Sequence, residues 1–207
     1  MLNIALTKGR LEDRTIELLK KAGVDCSPLL NKGRKLIITL EDKYSIIFAK
    51  ANDVITYVEY GVSDVGVVGK DTILEMNRPI YEIMDLNFGK CSFAVAAPHN
   101  VNIFTLDKST TIATKYPNVT RSYFESLNMD VDIVKIEGSV ELAPILKLAD
   151  AIVDIVETGK TLKENGLEVI RKITDISARL VVNPVSLKLK AAEIDLFSKL
   201  LTSSITK

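Results

Sequence analysis

Apolar residues along this chain follow two rhythms, short unbroken runs and longer stretches in which they recur every three or four positions, and the two alternate almost throughout. Residues 2–6 read as a strand. A helix follows, with Leu11, Thr15, Leu18 and Ala22 on one face and Gly23 as its stop. Residues 36–40 and 44–49 read as a strand pair, Asn52 or Asp53 as the cap of a short helix ending near Gly61, and 65–68 as a buried strand. Around Phe88-Gly89-Lys90 the pattern restarts. CSFAVAAP, TIAT, VDIVKI and AIVDIV have the form of strands, with helices near 118–127 and 139–148, the second capped by Ser139. Beyond Ile176 come a strand at 179–182 and one closing helix from Pro184, with Leu187, Ala191, Ile194 and Leu201 facing inward.

This alternation predicts an α/β protein with mostly parallel sheets in two lobes. Residues 1–89 plus 177–207 are expected to form lobe I, and residues 90–176 lobe II. The last segment is assigned to lobe I because one strand and one helix cannot bury their apolar faces without a sheet to join. Two such lobes would place a cleft between them, where ligands commonly bind.

Charge and composition narrow the function classes. The chain has 207 residues, and its 27 basic and 27 acidic residues cancel, so bulk charge points neither to nucleic acid nor to a membrane surface. The run from 149 to 156 is broken by Asp150 and Asp154 and is too short to span a bilayer. The opening MLNIALTKGR lacks the layout of a signal peptide, which sets the expectation of a cytoplasmic protein. Cys26 and Cys91, without CxxC spacing, suggest neither a disulfide framework nor a zinc knuckle. With His99 as the single histidine, a His-rich metal cluster is excluded. No metal held by the protein itself is expected, and any metal would be magnesium carried on substrate phosphates.

Candidate chemistry lies in three loops. DIVETGKT, residues 154–161, ends like a nucleotide-binding P-loop, but Asp154 stands where the first glycine belongs. Gly69-Lys70-Asp71 fails the same pattern, with Asp64 in that place and no hydroxyl residue after the lysine. Thr7-Lys8-Gly9-Arg10 follows a strand and opens a helix, an arrangement that offers N–H groups and cations to an anion; an ordinary turn is the plainer alternative. At Gly69-Lys70-Asp71 the plainer reading makes Asp71 a helix cap. The third loop, Glu157-Thr158-Gly159-Lys160-Thr161, lets backbone N–H groups converge on a phosphate, with Thr158 and Thr161 adding hydroxyls. Asp154 and Glu157 would repel a bare triphosphate, yet each can accept hydrogen bonds from vicinal sugar hydroxyls. A ribose beside a phosphate meets both demands, and the arrangement resembles the phosphoribosyl-pyrophosphate (PRPP) loop of phosphoribosyltransferases.

ALTKGRL, ANDVITYVEYGVSDVGVVGKD, DLNFGKC, IATKYPNVTRSYF, GSVELAP and AIVDIVETGKTLKENGL follow one another along nearly the whole chain. In order and spacing they resemble the ATP phosphoribosyltransferase family, which opens histidine biosynthesis. The resemblance implies a fold like that of periplasmic binding proteins, with the active site in the interlobe cleft. It also implies attack of adenine N1 of ATP on C1 of PRPP, with release of pyrophosphate in the presence of magnesium. By the same resemblance Asp154 and Glu157 lie near the ribose as the catalytic pair, and Thr158, Gly159, Lys160 and Thr161 hold the 5-phosphate. Lys8, Gly9, Arg10, Lys50, Gly69, Lys70 and Asp71 line the ATP and pyrophosphate side, with Glu141 a further candidate. Lys50 stands where the family usually carries arginine; it keeps the charge but loses the two-pronged fork. The length matches the family's short form, which implies a separate regulatory subunit related to histidyl-tRNA synthetase in a hetero-octamer. Two rival classes fit parts of the pattern: a solute-binding module with the same two-lobed fold, and a salvage phosphoribosyltransferase acting on a free base. His99, after Pro98, is expected at the surface.

Overall fold

The computed structural model describes residues 1–105 and 109–205, beginning with a strand, β1 (Leu2–Thr7), whose alternation sets the plan of the first sheet. Leu2, Ile4 and Leu6 enter one apolar cluster and Ala5 the opposite one, as the two-residue period of a strand dictates. Along the chain follow α1 (Arg10–Lys21), α2 (Ser27–Leu30), β2 (Ile37–Leu40), β3 (Tyr44–Ala49), α3 (Ala51–Glu59), β4 (Val65–Gly69), α4 (Lys70–Met76) and β5 (Tyr81–Asp85). Next come β6 (Cys91–Pro98), β7 (Thr110–Thr114), α5 (Pro117–Ser126), β8 (Val131–Lys135), α6 (Leu142–Ile145), β9 (Ala151–Val156), α7 (Lys160–Glu164) and β10 (Leu167–Ile176). The chain closes with β11 (Ala178–Val182), α8 (Pro184–Leu189) and α9 (Ala191–Ile205). Two units result, one built from residues 1–89 with the chain from Ser177 onward, the other from residues 90–176.

In the first unit the strand order is β2-β3-β1-β4-β11-β5. One face is covered by α1 and α9, which contribute Ile16, Leu19, Ile194, Phe197 and Leu201 to the core. The other is covered by α3 and α4 over Val54, Ile55, Val58 and Val68. Burial on both faces explains why β4 is apolar without interruption. The returning segment is fastened by polar groups. Asp64, almost wholly buried, accepts hydrogen bonds from the Asn3 N–H at 2.8 Å, Ser186 Oγ at 2.8 Å and Lys190 Nζ at 2.7 Å. Asn183 caps α8 through the N–H groups of Val185 and Ser186 and donates to the Val58 carbonyl at 2.8 Å.

In the second unit the order is β10-β6-β9-β7-β8, with Ala96, Ala113, Ile152 and Leu162 in one core cluster and the Phe93 ring edge-on to Tyr116 at 4.8 Å. Both sheets are mixed rather than mostly parallel. Parallel pairing is confined to β3-β1-β4 and β9-β7-β8. A tight turn, with Glu41 and Asp42 both at positive φ, forces β2 antiparallel to β3, and β6, β10 and β11 run against their neighbours.

Several local expectations are corrected. Lys50 occupies the N-cap of α3, so Asn52 and Asp53 lie inside its first turn; the helix starts one residue after β3 and leaves no room for a capping loop. The helix anticipated over 139–148 is only Leu142–Ile145, with Glu141 and not Ser139 at its N-cap position and no side-chain cap bond. It ends where Lys147 turns left-handed (φ 58°) and the Leu148 N–H returns to the Ala143 carbonyl at 2.9 Å. The closing helix is two helices, broken at Lys190, whose amine is drawn to Asp64, and Ala191 is exposed.

Candidate active site

The parallel core of the second unit carries its chemistry at one edge. Thr114 lies opposite Lys135 of β8 and Val153 of β9, so β7 and β8 end in step and β9 projects beyond them through Asp154 to Val156. The residues that follow, Lys115-Tyr116, 136–141 and 157–159, therefore gather at the carboxyl edge of this sheet, where ligands of α/β folds bind. Thr114 Oγ1 fastens that edge: it donates to the Val153 carbonyl at 2.7 Å and accepts from the Tyr116 N–H at 2.9 Å.

Asp154, half-buried near the end of β9, is held above the usual carboxylate range first by loss of solvent and then by the nearby Glu141 charge; a hydrogen bond from the Ile155 backbone and the Lys115 charge oppose this. An acid so placed is costly to ionise and correspondingly responsive to a positive charge arriving beside it. Glu157 and Thr158 are exposed on the turn that follows. Gly159 sits at φ 73°, ψ 2°, and a Cβ there would meet only Val156 Cγ1, at 3.8 Å. Backbone conformation, not lack of space, calls for glycine here. The turn delivers Lys160 and Thr161 into α7. Lys160 reaches Glu164 only at 3.7 Å with both side chains largely exposed, so its ammonium is loosely held.

The first unit repeats the design with opposite charge. Thr7 lies opposite Ala49 and Leu6 opposite Val67, so β3, β1 and β4 also end together, and the next residues are Lys50, Lys8-Gly9-Arg10 and Lys70-Asp71. At this edge α1, α3 and α4 begin, with Gly9, Lys50 and Gly69 at their N-caps and no side-chain cap bond on any of them. Helix N-terminal N–H groups and lysine ammoniums thus face the same rim, an arrangement suited to an extended anion. Gly9, at φ 91° and ψ −143°, holds a backbone shape that side chains disfavour. Gly69 has an ordinary extended backbone, and a Cβ there would meet only the Asp71 carboxylate, a flexible side-chain end folded back over it. Asp71 is therefore within the first turn of α4 and not its cap. Lys8, Arg10 and Lys50 are exposed, whereas Lys70 is mostly buried and ion-paired with Glu82.

The residues singled out from the sequence are thus gathered in two sets, one on each unit. Lys8, Gly9, Arg10, Lys50, Gly69, Lys70 and Asp71 share the first rim; Asp154, Glu157 to Thr161 and Glu141 share the second. His99 is exposed, with Nδ1 3.1 Å from Glu168 Oε2, and Cys26 and Cys91 are not joined in a disulfide. Sequence reasoning passed over Lys115, which stands at the end of β7 as Glu157 stands beyond β9. The signal was available, since TIAT is read as a strand and the next residue is delivered to the same edge. Among the described residues no helix is long and apolar enough to cross a membrane.

Comparison with known proteins converges on one family. Residues 50–203 match the family model HisG, ATP phosphoribosyltransferase. A curated ATP phosphoribosyltransferase from Clostridium kluyveri is 57% identical over 195 residues, covering 94% of this chain and 89% of that protein. A solved ATP phosphoribosyl transferase (HisG:HisZ) complex from Thermotoga maritima superposes with a TM-score of 0.86 at 38% identity, covering 100% of this chain and 99% of that one. The periplasmic aliphatic sulphonate binding protein SsuA from Escherichia coli shares the fold alone, with a TM-score of 0.59 at 13% identity over 99% of this chain and 72% of that one. With phosphate-suited rims on both units and this degree of identity along its length, the chain belongs to the ATP phosphoribosyltransferase family.

Proposed function

We infer that the chain joins ATP to PRPP: adenine N1 attacks C1 of the ribose, the C1–O bond to pyrophosphate breaks with its electrons leaving on pyrophosphate, and N1-(5-phosphoribosyl)-ATP forms as the first product of histidine biosynthesis. The observation that carries this reading is the pairing, at one strand end, of the carboxylates Asp154 and Glu157 with the left-handed turn at Gly159. As pyrophosphate departs, positive charge builds on the sugar. A half-buried Asp154 gains more from that charge than from the neutral ground state, so its contribution is realised in the transition state. Thr158 to Thr161 hold the 5-phosphate through backbone N–H and hydroxyl donors, and Glu141 lends further negative charge beside Asp154. Lys8, Gly9, Arg10, Lys50 and the Gly69 to Asp71 turn take the triphosphate of ATP and the departing pyrophosphate. N1 of adenine already offers a lone pair, so no residue is assigned as general base.

Magnesium belongs with the substrate phosphates in this reading. Magnesium keeps several of its waters and binds through phosphate oxygens rather than through a dedicated cage of protein ligands. Bound there, it would neutralise charge on the leaving pyrophosphate. The HisG:HisZ complex from Thermotoga maritima supports a HisZ-like partner for this chain; that this partner is a regulatory subunit related to histidyl-tRNA synthetase, in a hetero-octamer, is what the family resemblance implies. The charged, phosphorylated substrates favour the cytoplasm as the place of work. A substrate exchange tests the reaction. PRPP-dependent pyrophosphate release is expected with ATP and not with free adenine; release with adenine would make this a salvage enzyme, and release with neither, partner included, would leave a binding module.

A further inference from the structure

On the face of the first sheet covered by α3 and α4, charged side chains form a connected set behind Lys70. Glu82 of β5 meets the Lys70 ammonium through Oε2, and through Oε1 it meets Arg179 Nη1 of β11 at 3.2 Å. Arg179 Nη2 reaches Asp85 Oδ2 at 3.1 Å, and Asp85 Oδ1 accepts from Ser177 Oγ at 2.8 Å. The Lys70 backbone is tied to the same segment, its N–H donating to the Ser177 carbonyl at 3.0 Å.

Simple strand alternation would turn Glu82 the other way. Arg179 lies opposite Asp85 and Leu180 opposite Met84, and Met84 packs with Leu180 into the core beneath α1 and α9. Two residues before Met84, Glu82 should share that apolar face. A register shift between Leu180 and Val181 sets it opposite Val181 instead, on the face of Arg179 and Asp85. A bulge of this kind re-aims a side chain, and here the side chain is the carboxylate that reaches Lys70.

We propose that Glu82 is a positioning residue for the reaction: it fixes the Lys70 ammonium at the rim where the phosphates of ATP bind, and Arg179 in turn fixes Glu82. The inference rests on the assignment of Lys70 made above. An ammonium has three donors, so one spent on Glu82 leaves others for phosphate oxygens. A lysine already tethered gives up less rotamer freedom on binding than a free one. When the Glu82 carboxylate is removed, Arg179 keeps Asp85 as a partner and the Lys70 side chain, 27% exposed, keeps access to water.

The test measures ATP affinity by calorimetry, and kcat/KM for each substrate, on the chain with its partner subunit, for Glu82→Ala and Glu82→Gln alone and combined with Lys70→Met. Glu82→Ala is expected to weaken ATP binding and lower kcat/KM for ATP by about tenfold, the scale of one charge-assisted hydrogen bond. KM for PRPP should not move, Glu82→Gln should recover much of the loss, and in the Lys70→Met background Glu82→Ala should cost nothing more. An equal loss in that background, an equal effect on both substrates, or tighter ATP binding without the carboxylate would overturn the proposal. ATP affinity needs no turnover, so a chain that showed this coupling yet released no pyrophosphate would contradict the proposed function and leave the role of Glu82 standing.

Discussion

Asp154→Asn separates chemistry from folding at the carboxylate proposed to steady the ribose. The substitution keeps shape and volume and removes a charge that the fold bears at a cost, since Asp154 is half-buried and lies near Glu141. If Asp154 steadies the positive charge on the ribose, its loss removes one preorganised electrostatic contact, worth about 3 kcal/mol or on the order of a hundredfold in kcat. Stability should move the other way. A carboxyl whose folded pKa lies above its unfolded one penalises the folded state as pH rises through the window between the two, so the neutral amide should make the protein more stable at pH 7. Below the ordinary aspartate range both forms are neutral and the difference should vanish. Steady-state kinetics with urea unfolding across that range tests both halves. An amide variant that is less stable at pH 7 and equally impaired in turnover would mark Asp154 as a structural acid and refute the reasoning.

Asp64→Ala removes the acceptor shared by Asn3, Ser186 and Lys190 and should cost about 3 kcal/mol in urea unfolding. Burial alone would raise the Asp64 pKa, but hydrogen bonds from Lys190, Asn3 and Ser186 hold it below its ordinary value. Its contribution is therefore present above the ordinary aspartate pKa, and the gap between native and variant should narrow as pH falls through the depressed folded value. Gly66→Ala places a Cβ 2.8 Å from both Val54 Cγ1 and Val58 Cγ2 and should destabilise by about 2 kcal/mol; an unchanged melting temperature would show that α3 yields easily. Gly159→Ala meets only an ordinary contact with Val156 Cγ1 but an unfavourable φ, so it should cost about 1 kcal/mol and raise KM for PRPP more than KM for ATP. An equal rise for both substrates would detach the turn from the 5-phosphate.

The strands that carry the two rims were legible because they are buried on both faces and read as apolar runs: β1, β3, β4, β7 and β9 each correspond to a stretch visible in the sequence. The edge strands β2 and β8 were legible too, but the edge strands β5 and β10 were not. β10 (LEVIRKITDI) is exposed at half of its positions and carries Glu168, Arg171, Lys172 and Asp175, which hide its alternation, and register shifts interrupt it further. β5 (YEIMD) was missed for a related reason, since its bulge breaks the period of two. Helix ends misled because a capping residue in the right place gives no warning of how soon the helix starts: α3 and α4 follow their strands directly, with Lys50 and Gly69 as caps. The loops were legible as chemistry, since glycine, threonine and paired acids in DIVETGKT carry their meaning locally. The attachment of Lys70 to Glu82 and Arg179 was not, because it joins α4, β5 and β11 through a bulge that no local pattern announces.

The most direct test of the central claim follows the near-ultraviolet absorbance of N1-substituted adenine together with pyrophosphate release, on the purified chain with ATP, PRPP and magnesium, with and without the HisZ-like subunit. The account expects both signals, in equal amounts and only when both substrates are present. Pyrophosphate release without the adenine signal, or silence even with the partner added, would contradict it.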